Sequence, residues 1–123
     1  MGLSRIVMRL ARNPGTEFAD GDDHRGYTLH APLTADGMLD EAAFKASRAP
    51  CAVRRFAPDE DAQEGRLARR GERWFFDYGD DGDTADEPLY RLAKHRFSVG
   101  EYVSITDEDQ RLLTYKVTEV TPE

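Results

Sequence analysis

Residues 95–120, HRFSVGEYVSITDEDQRLLTYKVTEV, read as a complete β-hairpin, and that reading decides the fold class. From Glu101 to Thr106 the chain carries Tyr102, Val103 and Ile105, and the polar run Asp107, Glu108, Asp109, Gln110 then turns it. Leu112 to Val120 returns rich in β-branched and aromatic residues, which suit a pleated, half-buried surface. Leu113, Tyr115 and Val117 share one face and Thr114, Lys116 and Thr118 the other, the period of two of a strand with one side on a core. Gly100, lacking a Cβ, lets the chain bend sharply after Phe97 and Val99.

Further strands are predicted on the same grounds. Residues 4–12 place Ile6, Met8 and Leu10 on one face, with Arg5 and Arg9 outside. After the turn signal Asn13-Pro14-Gly15 and an acidic loop over 17–23, residues 25–31 form a strand with Tyr27 and Leu29 inward, ended by Pro32. A helix is expected over Asp36–Ser47, with Leu39, Ala42, Ala43 and Ala46 on one face, Phe44 at its edge, and Asp36 or Asp40 as cap. Residues 51–57 form a strand whose alternation Arg54 and Arg55 interrupt, which suggests a bulge or an edge. Residues 58–65 read as an acidic loop, and 65–70 and 73–78 as two strands, the second turning Trp74, Phe76 and Tyr78 inward. Residues 88–95 fit either a strand or a short helix.

The short apolar lead, Gly100, Glu101 and the Tyr-Val-x-Ile run resemble the opening strand of small SH3-like barrels. The likeness spans about ten residues; it implies an architecture and no functional residues. The predicted fold is mostly β (α+β), a small antiparallel rolled sheet or SH3-like barrel with one short helix over an opening, and residues 1–123 form one domain.

Composition narrows the function classes. A chain of 123 residues with 39% hydrophobic and 33% charged residues builds a thin core inside a charged shell. Seventeen basic against 24 acidic residues leave a net charge of −7, which argues against nucleic acid or an anionic membrane as main partner. A lone cysteine, Cys51, asks for no oxidising compartment, and arginines interrupt the apolar residues of the first twelve, so a cytoplasmic location is expected.

No motif for chemistry stands out. His24, His30 and His95 match no metal-ligand spacing, although a barrel rim could bring them together. Asp77, Asp81 and Asp83 do not keep the register of a calcium loop. Cys51 reads as a small core side chain, no serine sits in a nucleophile-elbow setting, and no glycine-rich loop suits phosphate, so neither a metal nor a cofactor is implied. The arrangement that suggests recognition is the basic and aromatic stretch holding Arg66, Arg70, Arg73 and Phe75, taken as the candidate binding residues. Two functions follow as expectations: a non-catalytic module that binds another protein through that stretch, or a ligand- or metal-binding barrel or enzyme with histidines at its mouth. Exposed β edges or Phe75 could also make a homodimer.

Overall fold

In the computed structural model, which describes residues 3–46, 51–58, 60–70, 73–78, 87–89, 96–106 and 111–122, consecutive strands pair antiparallel throughout. The order is β1 (Ser4–Leu10), β2 (Asp22–Ala31), α1 (Glu41–Ala46), β3 (Ala52–Ala57), β4 (Glu60–Arg70), β5 (Arg73–Asp77), β6 (Glu87–Leu89), β7 (Tyr102–Thr106) and β8 (Leu112–Pro122). Each strand neighbours the next, and β1 also pairs with β8, from Ser4 against Pro122 to Leu10 against Tyr115, so the rolled sheet meets itself. The predicted mostly β architecture with one short helix is what forms.

Alternation sets the interior. Ile6, Met8 and Leu10 of β1, Tyr27 and Leu29 of β2, Val103 and Ile105 of β7, and Leu113, Tyr115 and Val117 of β8 are buried in one cluster. Trp74 and Phe76 of β5 join them, and Tyr78 packs against the cluster from its margin. The closing hairpin of β7 and β8 keeps the expected register, with Val103 opposite Tyr115 and Ile105 opposite Leu113; its turn, 107–110, lies outside the described residues. Gly100 has φ of 97°, in the left-handed region that side chains avoid, so the bend ahead of β7 uses its missing Cβ. The strand resembling an opening SH3-like strand is here the seventh of the series.

Two expectations are corrected, and one left open is decided in part. Residues 60–64 extend β4 where a loop was expected: Arg54 lies opposite Glu64 and Arg55 opposite Gln63, so ladder hydrogen bonds hold a stretch with almost nothing to bury. Such a strand carries no apolar period to read. The helix is six residues long, because 33–39 form a tight reversal in which Leu33 bridges Leu39 and Thr34 N donates to Met38 O at 2.8 Å. Asp40 caps it, accepting from Ala43 N at 3.0 Å, while Phe44 docks edge-on against Trp74 at 4.8 Å between ring centroids. Of the ambiguous 88–95 stretch, Glu87–Leu89 is strand β6, touching β7 through Leu89 opposite Ile105, and 90–95 lie outside the described residues.

Among the described residues no helix is long and apolar enough to cross a membrane.

β1 and β2 approach unusually closely at Gly26. A Cβ built there would stand 1.9 Å from Met8 O and 2.9 Å from Met8 C, both backbone atoms that cannot swing aside. Gly26 also separates Arg9 and Phe56, its partners on the two flanking strands, and the Arg9 guanidinium lies 5.7 Å from the Phe56 ring centroid. Gly26→Ala is therefore expected to lower stability by about 2–3 kcal/mol, as overpacking does. Urea denaturation checks this; an unchanged midpoint would contradict the close approach.

Candidate functional site

Three interior-facing positions near one end of the sheet are occupied by arginine. Arg25 precedes Tyr27 by two residues, Arg111 precedes Leu113 by two, and Arg55 follows Val53 by two, each in phase with the core face. The spacing that interrupts the apolar pattern of β3 thus marks an opening, where an inward side chain meets water. A register shift between Arg55 and Ala57 supplies the expected bulge.

There the three arginines line a cavity of about 220 Å³ together with Glu17, Phe18, Phe56 and Glu60. Tyr27 and Tyr115, nearly fully buried with ring centroids 5.0 Å apart at 69°, form its floor, and Phe76 stands 5.1 Å behind Tyr27. Two cations lie near the Phe18 ring, with Arg25 Cζ 4.9 Å and Arg111 Cζ 5.7 Å from its centroid. Arg111 Nη1 donates to Glu17 Oε1 at 2.9 Å and to Oε2 at 2.8 Å. That guanidinium holds the Glu17 carboxyl below its usual range, so the ion pair is complete above ordinary carboxylate pH and is lost as pH falls through the lowered value. Arg25 Nε is 3.6 Å from Asp22 Oδ2 and, though enclosed, has no hydrogen-bond partner.

The loop between β1 and β2 delivers Glu17 and Phe18 to this mouth, and Asn13 anchors it. Asn13 Nδ2 donates to Ala11 O at 2.8 Å and Thr114 O at 3.1 Å, and its Oδ1 accepts from Thr114 N at 2.9 Å. One amide side chain thus continues the β8 ladder beyond the end of β1. Inside the loop Asn13 N donates to Phe18 O, Thr16 Oγ1 donates to Asn13 O at 2.7 Å, and Gly21 N donates to Phe18 O. The irregular start of β2 is fixed by Asp22 Oδ1, which accepts from His24 N, and by Arg9 Nη1, which donates to Asp23 O at 2.7 Å.

The residues expected to bind are elsewhere. The register of β4 and β5 sets Arg66 opposite Asp77, Ala68 opposite Phe75 and Arg70 opposite Arg73, so Arg66, Arg70, Arg73 and Phe75 share the outer face of one hairpin. Arg66 and Arg73 are exposed, and Arg66 Nη2 lies 4.0 Å from Asp77 Oδ2; the Arg70 side chain lies outside the described residues. Phe75 is only 7% exposed although it stands apart from the interior cluster. The inward Arg69 instead covers Trp74 at 5.4 Å and pairs with Glu41 at 3.5 Å, joining α1 to the end opposite the mouth.

His24 and His30 do not line the cavity. The four strand steps between Gly26 and His30 alone span about 13 Å, which keeps His24 and His30 from sharing a metal, and His95 lies outside the described residues. No cluster of three metal-binding side chains occurs among the described residues, and the 80–83 acidic run lies outside them. Cys51 is buried in the core, where desolvation pushes its thiol up, away from the reactive thiolate. Comparison with protein families, with curated proteins and with solved structures finds no match.

Asn13→Ala is expected to cost about 1–3 kcal/mol, because it removes the side-chain bonds to Ala11 O, Thr114 N and Thr114 O, the last of which keeps Ala11 N. It should also speed hydrogen exchange at the Thr114 amide; unchanged exchange and stability would show that the side chain does not anchor the loop.

Proposed function

We propose that this protein is a binding barrel whose mouth, lined by Arg25, Arg55 and Arg111, takes a small anionic ligand. The observation that carries this reading is the convergence of three guanidiniums on an aromatic-floored cavity in a chain whose net charge is −7. A volume of about 220 Å³ is below the ~300–1,000 Å³ of drug-sized sites, which favours a compact molecule over a nucleotide or lipid. This is the ligand-binding alternative of the sequence reading, carried by arginines in place of histidines. A cytoplasmic location belongs to the same reading, with the one cysteine buried and unpaired.

Titration of isotope-labelled protein with a panel of small carboxylates and inorganic phosphate, followed by amide NMR, tests it. Shifts are expected at residues 17–18, 25–27, 55–56 and 111–115, and Arg55→Ala should reduce them. Shifts confined to the outer face of β4 and β5, or none, would contradict it.

A second reading, a module that binds another protein, is favoured by the register that gathers Arg66, Arg70 and Arg73 on one outer face. An acidic partner suits that face, and a second copy of this acidic chain is the simplest one. Light scattering across a concentration series should then show a dimer that Arg73→Glu disperses; a monomer at every concentration would exclude the self-associating form.

A further inference from the structure

We infer that the ligand of the mouth is a compact monocarboxylic acid and that Glu17 is its built-in competitor for Arg111, an inference that rests on the ligand-binding reading above. Glu17 already places a carboxylate at the rim, with both oxygens on Arg111 Nη1 at 2.9 and 2.8 Å. Its side chain is 61% exposed, and the hydrogen bonds that shape the loop run through Asn13, Thr16 and the backbone. Glu17 can therefore leave Arg111 for water while the loop keeps its form. An exposed ion pair of this kind contributes little, so the exchange is easily driven.

The incoming group would take the guanidinium that Glu17 vacates and would adjoin Arg25, Arg55 and the tyrosine floor, which line the same cavity. Charge selects the class. Asp22 on Arg25 and Glu60 in the lining remain when Glu17 leaves, so three guanidiniums face two carboxylates and one ligand carboxylate balances the remaining charge. A dianionic phosphate would exceed it. Phe18, with cations near its ring, and the tyrosines favour an acid bearing a flat apolar group.

The test measures dissociation constants of benzoate and inorganic phosphate for the wild-type chain, Glu17→Ala and Arg111→Gln. Glu17→Ala should tighten benzoate binding about threefold, the scale of an exposed pair. Arg111→Gln should weaken it about tenfold, as loss of a charge-assisted contact does. Arg111→Lys keeps the charge without the planar donor set, and its smaller loss provides the same check should the glutamine variant fold poorly. If Glu17→Ala leaves benzoate affinity unchanged while Arg111→Gln lowers it, competition is refuted and the ligand-binding reading stands. Tighter binding of phosphate than of benzoate overturns the ligand class. Binding of neither to the wild type or to Glu17→Ala overturns both readings.

Discussion

β1 is hydrogen-bonded to β2 along one edge and to β8 along the other, and the rest of the structure depends on that double pairing. An up-and-down series can close antiparallel only with an even number of strands, since each connection reverses the chain. Three-residue β6 therefore has a role out of proportion to its length: it gives both β5 and β7 an antiparallel neighbour while β8 still meets β1 antiparallel. The pairing also removes the two edges that an open sheet would leave and brings the loop after β1 beside β8, where Asn13 can bridge them.

Closure gives the sheet two dissimilar ends. At one, α1 lays Phe44 on Trp74, and Arg69 ties that contact to Glu41, so an inward arginine is neutralised by a structural partner. At the other, three inward arginines meet a cavity, and the loop anchored by Asn13 sets Glu17 and Phe18 among them. The same residue type in the same phase thus has opposite uses. The difference lies in what stands above it: a packed helix in one case, a cavity in the other.

The core was legible in the sequence because alternation survives wherever one face is buried. Ile6, Met8, Tyr27, Leu29, Trp74, Phe76, Leu113, Tyr115 and Val117 all face inward as their spacing predicts. Residues 60–64 are illegible because that stretch is held by its backbone ladder, which leaves no apolar period. The helix was over-read because Gly37, at φ of 82°, belongs to a reversal ahead of it. The site was partly encoded: Arg25, Arg55 and Arg111 keep step with core residues, a signal that reads as a flaw in the pattern until the strand ends are known. The role of Asn13 was not encoded at all, since its partner Thr114 is 101 residues away.

The central claim is that this protein meets its ligand at the arginine-lined mouth, and a crystal structure of the protein with benzoate is its most direct test. The account predicts a carboxylate against Arg111 with the ring over Tyr27 and Tyr115, and Glu17 turned out to solvent. Benzoate bound away from the mouth, or a mouth empty at saturating benzoate with Glu17 still on Arg111, would contradict it.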